Sequence, residues 1–319
     1  MNIVVLDGYA MNPGDLSWSE MEKLGELTVY DRTPQEFVLK RIGDAEIVLT
    51  NKVILSRDII EKATSLKYIG VMATGYNVVD IEAATERGIL VTNVPAYSTD
   101  SVAQLVFAYI LEFCHHVGEH NRIVQAGGWT ASKDFSFWKY PLIELKGKTL
   151  GIIGYGSIGR AVARLAEVFG MYVRVFSRTV RPELETDKIK FVTLNEVLEQ
   201  SDFVSIHCPL TEETKGLINK NNILKMKTGA YLINTSRGPV INEKDVADAL
   251  NSGKLGGAAV DVVSVEPILR ENPLLGAQNC IITPHFAWAS FEARTRLMET
   301  LVSNVRAFIQ GNPVNVVNK

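Results

Sequence analysis

Two groups of residues in this chain have the types and spacing to do chemistry. The first is Gly154-Tyr155-Gly156-Ser157-Ile158-Gly159, a G-x-G-x-x-G lying between the apolar run 149–153 and the amphipathic run 158–169. Between a strand and a helix, the first glycine permits the tight turn and the second lets a pyrophosphate reach the backbone. The third lets the helix pack on the sheet. The helix start, at Ser157 and Ile158, then offers unpaired N–H groups and a positive dipole end to the anion. The second group is spread through the last third of the chain: Arg237, Glu266 and His285. A guanidinium is always charged and grips two oxygens at once, so Arg237 suits an anchor for an anionic substrate. An imidazole exchanges protons near neutral pH, so His285 suits a proton relay. Glu266 would hydrogen-bond that imidazole, orient it and stabilise its cationic form. Each of the three falls near the C-terminal end of an expected strand, where open α/β sheets bind ligands.

The end of the strand after the glycine motif bears on the cofactor. NAD-specific sites usually place an acid about 20 residues beyond the glycines, on the ribose 2′-hydroxyl. This chain instead reads Ser177-Arg178-Thr179, with Arg181 close by and no acid before Glu183. An arginine flanked by hydroxyls welcomes a 2′-phosphate that a carboxylate would repel. NADP is therefore favoured over NAD, with a solvated Arg178 and equal use of NAD as the rival reading. His207 and Pro209 would line the cofactor cleft, and Thr235 is counted with them. Asp261 either lies by the nicotinamide ribose or carboxamide or caps local backbone. His115, His116 and His120 sit at a helix end, where solvated or dipole-compensating histidines are expected rather than a metal site.

Positioning these residues takes two alternating series of strands and helices. In the first ninety residues, strands are expected at 3–6, 46–49, 67–71 and 89–92, with helices at 56–64 and 79–87. A long helix over 98–116 follows, then an aromatic-rich loop at 127–141 carrying Trp129 and Trp138. The second series has six expected strands, at 149–153, 172–176, 203–207, 231–234, 257–261 and 280–283. Helices are expected at 158–169 and 243–252. Such alternation implies parallel sheets with helices on both faces, and six strands make a complete dinucleotide-binding unit. A last helix, 290–309, is surplus to that unit and would return to the first domain. The expected fold is α/β, with two doubly wound parallel-sheet domains. A Rossmann domain over 98–286 is inserted into a smaller flavodoxin-like substrate domain made of 1–97 and 287–319.

Three further segments carry a family resemblance. Ile233-Asn234-Thr235-Ser236-Arg237-Gly238, Asp261-Val262-Val263-Ser264-Val265-Glu266-Pro267 and Thr283-Pro284-His285, with the glycine motif, resemble the D-isomer-specific 2-hydroxyacid dehydrogenases. The likeness covers essentially the whole chain, including Ala73-Thr74-Gly75-Tyr76-Asn77. Residues 97–104 and 135–148 are most similar to the glycerate dehydrogenases, also called hydroxypyruvate reductases. The resemblance implies that backbone N–H groups of Ala73, Thr74 and Gly75 hold a substrate carboxylate. It implies too that Arg237 bridges that carboxylate and the reacting carbonyl, while His285 delivers the proton. Hydroxypyruvate or glyoxylate would be reduced to D-glycerate or glycolate. The substrate would sit between domains that close about 95–98 and 286–290. A homodimer through the arm 98–141 is implied as well. The alternatives are another 2-keto acid, or a cofactor-sensing, corepressor-like protein on the same scaffold.

Composition agrees with a small-molecule enzyme. The 319 residues fit two domains at roughly 100–200 residues each. Lys+Arg 33 against Asp+Glu 36 leaves a net charge of −3, which argues against nucleic acid or an anionic membrane as partner. The first residues lack a basic start and apolar core, and the longest apolar run, 105–111, is too short to span a bilayer. Three scattered cysteines (Cys114, Cys208, Cys280) have neither disulfide-framework nor metal-ligand spacing. A cytoplasmic location is expected.

Overall fold

Runs such as Ile47–Thr50 are apolar without alternation, and in the structure every one of these four side chains is buried. Strands covered by helices on both faces of a parallel sheet have this pattern. The structure is a computed structural model describing Met1–Asn318, and the chain divides into two compact units. One comprises Met1–Ser98 and the residues from Ala289 onward; the other is Thr99–Trp288.

The first unit contains β1 (Asn2–Val5), β2 (Glu26–Val29), β3 (Ile47–Thr50), β4 (Tyr68–Val71) and β5 (Leu90–Thr92). Its helices in this stretch are α1 (Ser19–Glu22), α2 (Val38–Ile42), α3 (Arg57–Lys62) and α4 (Ile81–Glu86). All strand pairs are parallel, in the order β2-β1-β3-β4-β5. That order is flavodoxin-like and reverses direction between β1 and β3. Val4, Leu6, Val48, Ile69 and Val91 on one face join Val38, Ile42, Ile59, Ile60 and Ala83 from α2, α3 and α4 in one core.

The second unit begins with α5 (Thr99–His115) and α6 (Val117–Gln125). Its strands are β6 (Thr149–Ile153), β7 (Tyr172–Phe176), β8 (Ile189–Phe191), β9 (Phe203–Ile206), β10 (Ala230–Asn234), β11 (Leu255–Val260) and β12 (Cys280–Ile282). Between them run α7 (Ser157–Val168), α8 (Leu194–Gln200), α9 (Lys220–Lys225) and α10 (Glu243–Asn251). The order β12-β11-β10-β9-β6-β7-β8 is that of a dinucleotide-binding sheet with one strand added at the β11 edge. The sheet reverses between β6 and β9, and the glycine turn follows β6 there. Val106, Phe107, Ile110 and Phe113 of α5 enter the core on one sheet face, with Ala161 to Ala163 of α7.

The final helix α11 (Phe291–Ile309) belongs to the first unit and covers the other face of its sheet. Leu297, Leu301 and Val305 are fully buried, and the Tyr68 and Phe308 rings lie 4.7 Å apart. Gly70 keeps that contact close, since a Cβ there would meet Leu49 Cδ2 at 2.6 Å and Leu301 Cδ1 at 3.4 Å.

Among the elements the structure adds to those expected are β2, β8, α1, α2 and α6. Strands β2 and β8 are edge strands; β2 alternates exposed and half-buried residues and β8 has three residues, so neither carries a long apolar run. The second sheet accordingly has seven strands, not six. The long helix ends at His115 because His116 takes a left-handed φ of +47°. A separate helix, α6, then runs in a new direction and buries none of its residues. Among the described residues no helix is long and apolar enough to cross a membrane.

Candidate active site

The glycine turn after β6 has the geometry its spacing implies. Gly154 has φ +98°, and a Cβ there would lie 2.6 Å from Cys208 N in the loop after β9. A Cβ on Gly159 would meet Gly154 O at 2.2 Å, so α7 and the turn touch through backbone. Gly156 faces open space, with nothing within 4 Å of where its Cβ would be. Arg160 N, bonded to Gly156 O at 3.0 Å, makes the first helical bond of α7; the N–H groups of Ser157, Ile158 and Gly159 precede it. Thr235 Oγ1, after β10, is buried without a hydrogen-bond partner among the described residues. An open glycine, a helix start and an orphaned hydroxyl fit a dinucleotide laid across the strand ends. When bound, a reduced nicotinamide supplies the hydride for reduction of a carbonyl.

Around this turn the other cofactor candidates divide. Ser177 is half-buried beyond β7, while Arg178 and Thr179 are exposed. Glu213 lies near Arg178: its carboxyl is held below the ordinary range by the Thr211 hydroxyl first and by the Arg178 charge in smaller part. His207 bonds Ser205 Oγ through Nε2 at 2.9 Å, and burial pulls its pKa down to about 3, so the ring is neutral. Pro209 is exposed next to it in sequence.

Arg237 stands on the turn after β10, which Asn234 builds. The buried Asn234 donates from Nδ2 to Arg237 O (2.9 Å), and its Oδ1 accepts from Ser236 N and Ser236 Oγ, both 3.0 Å. Next in line, Gly238 backs onto the segment after β11: a Cβ there would sit 2.0 Å from Val263 C. Two loops from neighbouring strands are thereby pressed together. The guanidinium is exposed, with Nη1 donating to Ser236 O at 2.7 Å.

Glu266 and His285 are joined directly. Glu266 Oε2 lies 2.6 Å from His285 Nδ1, and Oε1 accepts from Val263 N at 3.2 Å. With Nδ1 bound to the carboxylate, Nε2 is the nitrogen left to exchange a proton with a substrate. Glu243 of α10 braces the same loop, accepting from Ser264 N (2.6 Å) and Asn272 Nδ2 (3.0 Å).

Asp261 is engaged by groups of the 283–287 segment. It is 1% exposed, and its oxygens receive Thr283 Oγ1 (2.6 Å), Phe286 N (3.0 Å) and Ala287 N (2.8 Å). Of the two readings left open by the sequence, backbone capping accounts for these bonds. Thr283 Oγ1 also meets Tyr109 Oη of α5. Together these groups hold the 283–287 loop in which His285 takes a φ of +51°, a conformation unfavourable for a residue with a Cβ. Burial raises the Asp261 pKa, with the three donors opposing the shift. Tyr109, Thr283, Asn234 and Glu243 were not singled out from sequence; only the Asx turn at Asn234-Thr235-Ser236 carries a local signal.

In the first unit, Ala73, Thr74 and Gly75 form the loop after β4. Ala73 O accepts from Val94 N (3.0 Å), Thr74 O from Asn93 Nδ2 (2.7 Å), and Thr74 Oγ1 donates to Val94 O (2.9 Å). The Ala73 and Thr74 carbonyls are engaged, whereas the N–H groups of Ala73, Thr74 and Gly75 find no acceptor among the described residues. Of the histidines near α6, His120 is tied to backbone: Nδ1 lies 3.0 Å from both His115 O and His116 O, and Nε2 accepts from Lys139 N at 3.1 Å.

This geometry has relatives. Residues 107–287 match the family described as D-isomer specific 2-hydroxyacid dehydrogenase, NAD binding domain. The chain is 55% identical over 322 residues to a hydroxypyruvate reductase of Blautia hydrogenotrophica, covering 100% of both chains. Among solved structures, it is similar to D-lactate dehydrogenase from Aquifex aeolicus complexed with NAD and lactic acid, with TM-score 0.86 and 29% identity. That match covers 100% of this chain and 99% of the other. An acyclic imino acid reductase, Bsp5, in complex with NADPH and D-Arg, aligns with TM-score 0.86 and 29% identity, covering 99% and 100% of the two chains. With a dinucleotide turn at one sheet's reversal, a paired acid and histidine, and full-length likeness of this order, the chain belongs to the D-isomer specific 2-hydroxyacid dehydrogenase family and is a nicotinamide-dependent oxidoreductase.

Proposed function

We propose that this enzyme reduces hydroxypyruvate to D-glycerate, and glyoxylate to glycolate, with NADPH used in preference to NADH. The Glu266–His285 pair is the observation that carries the reaction type, and the 55% identity to a hydroxypyruvate reductase supports the substrate. Ala73, Thr74 and Gly75 offer their N–H groups to the substrate carboxylate, and Arg237 grips it and polarises the keto oxygen. As negative charge grows on that oxygen, the imidazolium of His285 gives up its Nε2 proton, and Glu266 stabilises the ring while it is charged. Gly154, Gly156, Ser157, Ile158 and Gly159 hold the pyrophosphate. His207, Pro209 and Thr235 border the rest of the dinucleotide, with Asp261 acting through the His285 loop. Ser177, Arg178 and Thr179 favour a 2′-phosphate, although Glu213 beside Arg178 tempers that preference.

A homodimer through the arm is part of the same proposal. Helix α6 buries nothing, and Val117, Trp129, Phe135 and Trp138 are 66%, 52%, 92% and 66% exposed, a density of apolar side chains suited to a second copy. The free cysteines suit the reducing cytoplasm, where we place the enzyme.

Following NADPH and NADH absorbance separately with hydroxypyruvate, glyoxylate and pyruvate tests substrate and cofactor together. Hydroxypyruvate with NADPH should give the highest kcat/KM, and His285→Gln should abolish turnover while NADPH still binds. A clear preference for NADH would overturn the cofactor assignment. No turnover with any 2-keto acid would point to a cofactor-sensing role.

A further inference from the structure

The strand order of the first unit reverses between β1 and β3, the point at which open α/β sheets receive ligands at their C-terminal edge. Two buried polar side chains stand there. Asp7, just past β1, is 8% exposed and accepts three consecutive N–H groups of the loop after β3. Asn51 N reaches Oδ1 at 2.8 Å, while Lys52 N and Val53 N reach Oδ2 at 2.6 and 3.2 Å. A carboxylate buried at this depth is kept there by its donors, so the 51–53 backbone has little freedom. Asn51 is itself 4% exposed, and its Nδ2 donates to Met72 O at 2.6 Å. That carbonyl belongs to the peptide whose N–H is Ala73's.

The far side of the same loop is held by a second relay. Asn93 Nδ2 binds Thr74 O at 2.7 Å, and Asn93 O accepts from Nδ2 of the buried Asn304 on α11 at 2.9 Å. Both peptide planes that precede candidate donors are thus fixed through their oxygens: Met72–Ala73 by Asn51, and Thr74–Gly75 by Asn93. Because a peptide is planar, fixing C=O also aims N–H the opposite way.

We propose that Asp7, Asn51 and Asn93 are positioning residues that clamp the 73–75 loop so that its N–H groups converge on the carboxylate of a 2-keto acid. The inference rests on the reading above that this loop receives the carboxylate. A substrate carboxylate keeps its charge throughout reduction of the neighbouring carbonyl. Donors aimed at it therefore bind ground state and transition state alike, and loosening them raises KM and leaves kcat alone. A global loss of stability does not produce that split.

The test uses the full chain with Asn51→Ala and Asn93→Ala, one from each relay. Each variant should raise KM for glyoxylate and hydroxypyruvate by about tenfold or more, the scale of a lost charge-assisted hydrogen bond. The dissociation constant of oxamate, a carboxylate that is not reduced, should rise in parallel with NADPH present. Values of kcat and NADPH affinity should stay within about twofold of wild type on the same reasoning. A folded variant with unchanged KM and unchanged oxamate affinity would overturn the clamp, as would a loss confined to kcat. If Asn51→Ala fails to fold, Asn93→Ala decides by the same criteria. Should the wild type reduce no 2-keto acid but bind oxamate, the functional reading fails while the oxamate titrations still judge the clamp. Should it not bind oxamate either, both fail.

Discussion

A histidine that must give up a proton on demand depends on which of its nitrogens is committed elsewhere. Here Glu266 takes Nδ1 of His285, and Val263 N holds the carboxylate's other oxygen, so the pair is oriented from behind. Glu266→Gln keeps the shape and removes the negative charge that favours imidazolium. In the reduction direction the protonated ring is the active form, and the carboxylate at Nδ1 also fixes where Nε2 points. The variant should lower kcat by about tenfold or more while NADPH still binds, and an unchanged kcat would remove Glu266 from this role. These residue types could be recognised in sequence because each supplies a distinct chemistry. Asp261 could not be assigned in the same way. A carboxylate beside a strand end can bind ligand or backbone, and the three donors around this one come only with the fold.

At the scale of elements, function depends on loops from neighbouring strands being brought into register. Gly238 is the closest such approach: the position of its missing Cβ lies 2.0 Å from Val263 C and 2.2 Å from Val263 O. Backbone atoms cannot rotate aside as side-chain ends can, so Gly238→Ala must drive the Arg237 turn and the Glu266 loop apart. Displacement of a catalytic group by about 1 Å can cost 10²-fold. A drop in kcat/KM of about that order is expected, with circular dichroism near native; a fully active variant would show that the two loops need not touch. The central strands were legible because burial on both faces demands continuous apolar runs. The edge strands β2 and β8 were not, since solvent on one side erases that demand. The break between α5 and α6 escaped notice because His116, unlike glycine or proline, gives no local sign that it will adopt a left-handed conformation.

For the molecule as a whole, folding stability should carry a signature of His207. Its folded pKa is depressed to about 3 by burial, against 6.5 for the free side chain. Above 6.5 the ring is neutral in both states and contributes no pH dependence. Below 6.5 the unfolded chain takes up a proton that the folded chain refuses, so stability is lost as pH falls from that value towards 3. Thermal midpoints measured from pH 7 to pH 5 should decline less steeply in His207→Gln than in wild type. Parallel slopes would place the acid sensitivity elsewhere.

What the sequence alone determined is the chemistry and the order of the parts. The glycine spacing, the arginine, the acid and the histidine, and the alternation of strand and helix are local patterns. They follow from backbone sterics, ionisation and the burial of neighbouring side chains. What only the tertiary structure decided is how those parts are held: Asp261 turned toward the 286–287 backbone, Glu243 bracing a loop 21 residues away at Ser264, and Asn51 reaching Met72. Such bonds join residues far apart in the chain, and a polar side chain's partner is set by what folding brings within about 3 Å of it.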